Sequence, residues 1–305
     1  MKKNRSSAGK RKLNRIIMVL SLAVVLCIVL YAAVSANSSA VSEPPVSTDA
    51  VSANQLSVMI IDVGQGDSVL VTFGSEDTML IDAGEPDDTQ AIKEELDERG
   101  ITQIDVLVAT HPHADHIGSM AEIINSYDIG SVYMPDMQSK SKTYRTLKDT
   151  IEKRGIPLTI AYAGEAFSLG LADCTIVSPE KSADKDANNE SVMLLVDYLD
   201  TEFLFTGDAE KWAESKVLDA GYNIDADVLK VGHHGSNTST SKAFLNAVSP
   251  DYAVISCGKN NDYGHPHKVT LDLLDEYGID TLRTDVSGDV LFISDGYTLK
   301  TVLGD

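Results

Sequence analysis

The seven histidines of this 305-residue chain fall into three groups, and their positions constrain the fold more than any other sequence feature. Each group follows a short apolar run with the composition of a β-strand. Side chains that bind ligands collect just past the carboxyl ends of strands in α/β folds. The pattern therefore predicts an α/β fold in which several strand ends share one site. The groups are His111, His113 and His116; His233 and His234; and His265 and His267.

The first group lies in the segment Thr110–His116, directly after the apolar strand predicted over Ile104–Ala109. Imidazole is the commonest metal-binding side chain, and a carboxylate is its usual companion. Pro112 favours an extended backbone at His111, and side chains two apart in an extended loop face the same way. Asp115 and the last histidine then turn into the next helix and point at a neighbouring position. Four potential ligands within six residues favour a cation site over isolated hydrogen-bonded histidines.

Two further predicted strands are also followed by side chains that could bind a metal ion. Leu204–Asp208 is an apolar strand followed by a glycine turn and a carboxylate, and Val228–Ser236 is a strand that ends in paired histidines. Asp208 also precedes a predicted helix, and a carboxylate in that position commonly caps the helix. Helix capping and metal binding therefore remain alternatives for Asp208 on sequence grounds.

The body of the chain, residues 56–305, shows strand and helix patterns without a linker-like interruption. A meander of short strands separated by glycine-containing turns comes first, and strands then alternate with helical stretches. Strand meanders followed by such alternation, twice over, predict two sheets packed together with helices outside. Helices are expected near 87–99, 115–127, 142–154, 210–220, 241–248 and 268–277.

The N-terminal part of the chain predicts a membrane segment. Residues 1–15 form a basic tail, and the 19-residue apolar run Ile16–Val34 is close to the length that spans a bilayer. We expect residues 16–36 to be either an uncleaved single-pass anchor or a signal segment cleaved after Ala36. In either case the basic flank stays cytoplasmic and the body is extracytoplasmic. Residues 37–55, rich in Ser, Ala and Pro, are expected to be a flexible linker.

The charge distribution excludes one class of function. The chain carries 46 Asp+Glu and 25 Lys+Arg, a net charge of −21. Without the seven bases of the tail, 18 Lys+Arg remain against 46 Asp+Glu, so the body carries −28. Such a body repels polyphosphates, and tight nonspecific binding of nucleic acid is not expected. With 43% hydrophobic residues it can still bury a sizeable core.

Seven motifs in order resemble the metallo-β-lactamase fold, and residues 56–305 as a whole resemble the soluble hydrolase domain of ComEC-type DNA-uptake proteins. This resemblance implies a four-layer αββα sandwich with a metal site at one edge of its two sheets. The motifs are Asp62–Ser68, Ile81–Gly84, His111–Gly118, Asn188–Ser191, Phe205–Glu210, Val231–Ser236 and Tyr263–His267.

The resemblance also implies roles for individual residues around two divalent metal ions, Zn or Mn. His111 and His113 match ligands of the first metal, and Asp115 and His116 match ligands of the second. Asp208 would bridge both ions, and His233 matches the last ligand histidine of the family. Asp82 is expected to support the site by hydrogen bonding, and Asp67 lies on a hairpin that overlooks it.

One family feature is missing, because residues 117–207 contain no histidine where the fold usually supplies a third ligand to the first metal. Asn189 or Ser191 stands near that point. The first metal is therefore expected to bind weakly or to use His265 as a further ligand.

The predicted chemistry is metal-assisted hydrolysis, in which the metal pair activates water and polarises the scissile bond. Asp115 is expected to orient the attacking hydroxide, and His234, Ser236, Asn237 or His265 to hold the developing oxyanion or serve the leaving group. The resemblance favours a phosphodiester substrate, with DNA leading. An exported esterase or phosphodiesterase that acts on small or cell-envelope substrates is the alternative. A catalytically silent binding module is a third interpretation, which the missing histidine supports.

Overall fold

A computed structural model describes residues 54–181 and 186–304. The described residues form fifteen strands: β1 (Leu56–Ile60), β2 (Val69–Phe73), β3 (Asp77–Ile81), β4 (Gln103–Val108), β5 (Asp128–Met134), β6 (Leu158–Ile160), β7 (Ala166–Leu169), β8 (Ala172–Ser178), β9 (Met193–Tyr198), β10 (Thr201–Phe205), β11 (Val228–Lys230), β12 (Tyr252–Ile255), β13 (Asp280–Arg283), β14 (Val290–Ser294) and β15 (Leu299–Leu303).

The α-helices of the described residues are α1 (Thr89–Glu98), α2 (Ala114–Ile117), α3 (Met120–Ser126), α4 (Lys142–Arg154), α5 (Lys211–Ala220), α6 (Lys242–Val248), α7 (Lys268–Glu276) and α8 (Thr284–Ser287). Short 3-10 turns occupy Pro86–Asp88, Asn188–Glu190 and Gly232–Gly235.

The strands form two sheets. One has eight strands in the order β15-β14-β1-β2-β3-β4-β5-β6, and the other has seven in the order β13-β12-β11-β10-β9-β8-β7. Strands β3 and β4 pair in parallel, as do β10, β11 and β12. The carboxyl ends of these central strands therefore meet at one edge of the two sheets, where the sequence places its histidines.

Three apolar cores separate four layers. The inner core joins the facing sides of the two sheets and includes Val58, Val71, Phe203 and Phe292. The first outer core packs α1, α3 and α4 on the eight-stranded sheet, and the second packs α5, α6 and α7 on the seven-stranded sheet. The two-sheet arrangement with helices on both outer faces, predicted from the sequence, is confirmed.

The helix predicted over residues 115–127 differs in the structure, because it is split into α2 and α3. The backbone amide of Gly118 donates to the carbonyl of Gly84 at 2.8 Å, and the amide of Ser119 donates to the carbonyl of Ala83 at 3.0 Å. These two amides are thus bonded to the loop after β3 and not to the helix turn before them. A side chain at Gly118 would meet the backbone of Glu85 at 2.3 Å, so only glycine permits this approach. These hydrogen bonds attach the segment Thr110–His116, which we call the histidine loop, to the loop after β3.

The basic tail, the membrane segment and all but the last two residues of the predicted linker lie outside the described residues. Within 54–181 and 186–304, none of the helices combines the length and apolar composition needed to cross a membrane.

Glu202 on β10 predicts a pH-dependent stability. Its backbone amide donates to Asp227 Oδ2 at 2.9 Å, and burial together with the carboxylates of Asp227 and Asp197 raises the pKa of Glu202 to about 7. Because this pKa is higher in the folded than in the unfolded chain, stability falls as the pH rises from about 4.5 to about 7. We expect Glu202→Gln to raise the Tm by roughly 1–3 °C at pH 8 and by less at pH 5.

Thermal unfolding of both forms at the two pH values measures this effect. The exposed Glu98 provides the matched control, since Glu98→Gln is expected to shift the Tm equally at both pH values. A gain from Glu202→Gln that is as large at pH 5 as at pH 8 would refute the explanation.

Candidate metal centre

The predicted metal-binding residues meet at the edge where the central strands end. Asp82 follows β3 and the histidine loop follows β4 in one sheet, while Asp208 follows β10 and His233 and His234 follow β11 in the other. The site therefore lies between the ends of the two sheets, as the sequence indicates.

The histidine loop has the local geometry expected from its sequence. His113 has an extended backbone (φ −77°, ψ 152°) immediately before α2. His111 Nε2 lies 3.0 Å from His113 Nδ1, so the two side chains face the same way. Helix α2 begins at Ala114 and carries Asp115 and His116 to a second position.

Asp208 is a buried carboxylate that lies between two sets of imidazoles. Its Oδ2 is 3.8 Å from both His111 Nε2 and His233 Nε2. Its Oδ1 is 3.3 Å from His116 Nε2 and 3.5 Å from His234 Nε2. Each carboxylate oxygen thus faces its own pair of ring nitrogens.

The capping alternative for Asp208 does not fit the structure. Helix α5 begins at Lys211, and Glu210 occupies the N-cap position. The Asp208 carboxylate points to the histidines instead, and its backbone amide donates to Ser191 Oγ at 3.1 Å. Ser191 therefore fixes the backbone of Asp208, and the neighbouring Asn189 is buried.

A first test of metal binding comes from the group Asp115, His116, Asp208 and His234, whose ligand atoms lie within 4.8 Å of one another. His116 Nε2, Asp208 Oδ1 and His234 Nε2 are buried and have no hydrogen-bond partner within the part of the chain that the structure describes. A buried polar atom without a partner costs about 1–3 kcal/mol. A divalent cation satisfies all of these atoms at once, and nitrogen and carboxylate oxygen suit Zn or Mn. These residues fit a metal ion.

A second group, His111, His113 and Asp208, also has ligand atoms within 4.8 Å of one another. His233 Nε2 adds an imidazole on the same side of the Asp208 carboxylate. The structure thus brings His234 together with Asp115 and His116, whereas His233 stands beside the group that lacks the usual third histidine.

The backbone explains how two successive histidines reach the same site. His233 (φ 51°, ψ 47°) and His234 (φ 53°, ψ 28°) both have left-handed conformations. Such a conformation costs a non-glycine residue roughly 1–2 kcal/mol, and it persists where the surroundings hold it in place. Here Thr238 Oγ1 lies 3.2 Å from His233 Nδ1, and the carbonyl of Ser256 lies 3.0 Å from His234 Nδ1.

A buried carboxylate lies against the outer ring nitrogen of each of His116 and His234. Asp82 Oδ2 lies 2.7 Å from His116 Nδ1, and Asp82 also accepts hydrogen bonds from the amide and hydroxyl of Thr110. Asp67 Oδ1 lies 3.3 Å from His234 Nδ1. Holding one ring nitrogen in this way directs the other toward the metal position. Asp82 and Asp67 are placed where supporting roles were predicted for them.

Lys230 is a buried residue beside the site that the sequence pattern did not single out. It is fully buried at the end of β11, and its Nζ donates to Asp67 Oδ2 at 2.9 Å. A chain of contacts therefore runs from Lys230 through Asp67 to His234. The sequence does contain an indication of this contact. Lys230 lies inside the apolar run Val228–Val231, and a lysine in a buried strand is expected to have a charged partner.

The remaining predicted residues lie around the site and outside both ligand groups. The His265 ring lies 5.5 Å from the His233 ring and 6.1 Å from the His234 ring. Burial and the neighbouring His234 and His233 lower the pKa of His265 to about 4, so it is neutral. Ser236 Oγ lies 3.0 Å from Thr238 Oγ1 and thus supports the residue beside His233. The amide of the exposed Asn237 donates to His267 Nδ1 at 2.9 Å.

The electrostatics of the site favour cations. Burial opposes charge on His234, but Asp208, Asp115 and Asp67 outweigh it and raise the pKa of His234 to about 10. Burial also opposes ionisation of Asp115, yet His234 and His116 lower its pKa to about 2. The pKa of the buried Asp208 is held well below its usual value by the same two histidines. These carboxylates are therefore ionised at neutral pH, and divalent cations compete with protons for the imidazoles.

Comparison with known proteins agrees with this geometry. Residues 61–259, more than half of the chain, match the family model for the metallo-beta-lactamase superfamily. The chain belongs to this superfamily. Its site carries the donors of a metal-dependent hydrolase, and the enzyme class predicted from the sequence is confirmed.

Relatives of this metallo-beta-lactamase superfamily member include competence proteins, which confirms the resemblance to the ComEC type. It is 35% identical over 198 residues to ComE operon protein 3 of Bacillus subtilis (65% of this chain and 25% of that protein). It is 34% identical over 198 residues to competence protein ComA of Neisseria gonorrhoeae (65% of this chain and 26% of that protein). The chain thus spans about a quarter of the length of these relatives.

A solved structure shows the same fold. The metallo-beta-lactamase fold protein YhfI from Bacillus subtilis aligns with a TM-score of 0.54 at 10% identity, covering 79% of this chain and all of that one.

Proposed function

We propose that the protein is an extracytoplasmic phosphodiesterase that binds two divalent metal ions, Zn or Mn, and acts on DNA during its uptake. The observation that carries this proposal is the Asp208 carboxylate, which directs one oxygen to each of two sets of imidazoles. Bound metal ions would supply an activated water and a Lewis acid for the scissile phosphate.

The side chains around the metal positions suit that chemistry. Asp115 is ionised and partly open to solvent, and its Oδ2 lies 3.4 Å from His234 Nε2. It can therefore accept a hydrogen bond from an attacking water and fix its direction. His265, neutral and half-buried beside His233 and His234, could donate a hydrogen bond from its ring N–H to the developing oxyanion.

The proposal that the substrate is DNA rests on the relatives and on the ComEC-type motifs. The acidic charge of the chain argues against it. A body with a charge of −28 disfavours tight duplex binding, although two bound cations would reverse the field at the site itself. The acidity favours a second candidate, an exported phosphodiesterase or esterase that acts on small or cell-envelope substrates.

Hydrolysis assays separate the two candidates. The full chain, supplied with Mn or Zn, is tested on plasmid DNA, single-stranded DNA and bis-p-nitrophenyl phosphate. We expect cleavage of DNA as well as of the small diester. Cleavage of the small ester alone would favour the second candidate, and no cleavage of any diester would reject the phosphodiesterase.

Metal content tests which histidine serves which metal. We expect the wild-type protein to retain about two metal ions per chain, since each ligand group is suited to one ion. His234→Ala and His233→Ala are each expected to lower the content to about one, because each removes an imidazole from a different side of Asp208. Elemental analysis after gel filtration measures the content.

His267→Ala is the matched control, because His267 is a neighbouring histidine outside both ligand groups and should leave the content unchanged. If His233→Ala retained as much metal as the wild type, His233 would have no role as a ligand.

The proposed location follows from residues 1–36 and agrees with the envelope role that the competence relatives suggest. Protease added to intact cells should digest the body and spare the basic tail. Protection of the body from protease in intact cells, with digestion only after lysis, would overturn an extracytoplasmic location.

A further inference from the structure

Several hairpin turns gather at the end of the molecule opposite the metal centre. The turns β2–β3, β7–β8, β9–β10 and β14–β15 all lie there. Strands β3 and β10 end at the metal centre, β2 runs antiparallel to β3, and β14 runs in the same direction as β2 because both are antiparallel to β1. Strand β9 is antiparallel to β10, so β2, β9 and β14 all end at the far side, where β8, antiparallel to β9, begins. They contact one another. The amide of Asp200 donates to the carbonyl of Gly296 at 2.8 Å, and Gly296 lies against Leu199. Gly170 lies against the ring of Phe73, which packs 5.1 Å from the ring of Tyr198.

Three large apolar side chains project from the tips of these turns. Leu171 is 68% exposed, Leu199 is 55% exposed and Tyr297 is 68% exposed. We call these three residues the apolar tips. Burying an exposed leucine side chain is favourable by about 1.5–3 kcal/mol of free energy. A surface that removes the apolar tips from water would therefore be bound favourably. Tyrosine, with an apolar ring and a polar hydroxyl, is typical of membrane–water interfaces.

The chain enters the described domain at this same end. The hydroxyl of Tyr198 donates to the carbonyl of Asn54 at 2.9 Å, and the amide of Gly74 donates to the carbonyl of Gln55 at 2.9 Å. The predicted membrane segment ends at Ala36, and 17 residues lie between Ala36 and Asn54. A flexible chain of that length has an end-to-end distance of roughly 20–25 Å. A bilayer that holds residues 16–36 is therefore within reach of the apolar tips.

We propose that the apolar tips dock on the surface of the lipid bilayer and hold the metal centre away from it. Strand β10 (Thr201–Phe205) makes up most of the chain from Leu199 to Asp208, so the site is at most roughly 30 Å from the tips at about 3.3 Å per residue. Asp200 and Asp295 flank the tips. Docking is therefore strongest on zwitterionic lipid and weakens as the fraction of anionic lipid rises. This inference uses the predicted membrane segment and is independent of the proposed hydrolysis.

Two exposed tyrosines at opposite ends of the molecule provide the test. Tyr297 is 68% exposed at the tips, and Tyr263 is 67% exposed beside the metal centre. In the full chain, Trp212→Phe removes the only tryptophan, and either Tyr297→Trp or Tyr263→Trp places a single probe. Both proteins are reconstituted in phosphatidylcholine vesicles that contain lipids with brominated acyl chains.

We expect the tryptophan at 297 to lose roughly half of its fluorescence, since interfacial groups lie about 5–10 Å into the boundary between headgroups and acyl chains. The tryptophan at 263 should lose almost none. Adding Leu171→Ser and Leu199→Ser should relieve the quenching at 297 while hydrolysis of bis-p-nitrophenyl phosphate is unchanged. Equal quenching at both positions, no quenching at 297, or failure of the full chain to sediment with vesicles would each overturn the docking.

Discussion

Replacing Asp208 with asparagine is expected to remove most of the bound metal and to lower kcat/KM by a factor of about 10³ or more, equivalent to at least about 4 kcal/mol. Among the residues that the structure describes, the Asp208 carboxylate is the one group that faces both sets of imidazoles. An amide offers one neutral oxygen in place of two charged ones, so both metal positions lose a ligand or its charge. Metal analysis and hydrolysis of bis-p-nitrophenyl phosphate measure the two effects.

The fold should survive this substitution with reduced stability. Removing the Asp208 charge relieves its repulsion with Asp115, but the attraction between Asp208 and the neighbouring His234 and His116 is larger, since it holds the pKa of Asp208 well below its usual value. The Tm of metal-free Asp208→Asn should therefore be lower than that of the metal-free wild type, and unfolding should remain cooperative. Asp219→Asn, an exposed carboxylate on α5, is the control and should change neither metal content nor rate. Full metal content in Asp208→Asn would contradict the bridging position assigned to Asp208.

Replacing Lys230 with methionine is expected to destabilise the fold by about 3–5 kcal/mol, because it leaves the buried Asp67 carboxylate without its ammonium partner. For a domain of this size the loss corresponds to a fall in Tm of roughly 10 °C. Metal affinity should fall as well, since Asp67 also orients His234. Thermal unfolding with and without added metal measures both effects.

The double variant Asp67→Asn with Lys230→Met separates the two roles of this pair. It removes both charges, so most of the lost stability should return. Metal affinity should stay low, because an amide holds His234 less firmly than a carboxylate does. Lys242→Met, which removes an exposed lysine paired with Glu276, is the control and should leave the Tm nearly unchanged, because solvent screens an exposed ion pair. A Lys230→Met protein as stable as this control would contradict the buried pair.

The sequence was sufficient to predict which strand ends form the site. Parallel strands bring their carboxyl ends to one edge, so apolar runs followed by His111, Asp208 and His233 predict a shared location without any distances. Strand β7 was not predicted, because Ala166–Leu169 is short and half-exposed and lacks a strong alternation.

The sequence could not show which of the paired histidines, His233 or His234, belongs to which ligand group. The left-handed backbone at His233 and His234 decides which ring faces which oxygen of Asp208. No local sequence pattern predicts this backbone conformation. The resemblance matched His233 to the last ligand histidine, whereas in the structure His234 lies with Asp115 and His116. Lys230 was missed for a similar reason, since its partner Asp67 is 163 residues away in the chain.

Anomalous diffraction from crystals of the protein grown with Mn or Zn is the most direct test of the metal centre. Two peaks are predicted, about 3.5–4 Å apart, on either side of the Asp208 carboxylate. One should lie among His111, His113 and His233, and the other among Asp115, His116 and His234. Metal peaks elsewhere, or no peak at Asp208 in crystals that contain stoichiometric metal, would contradict the site.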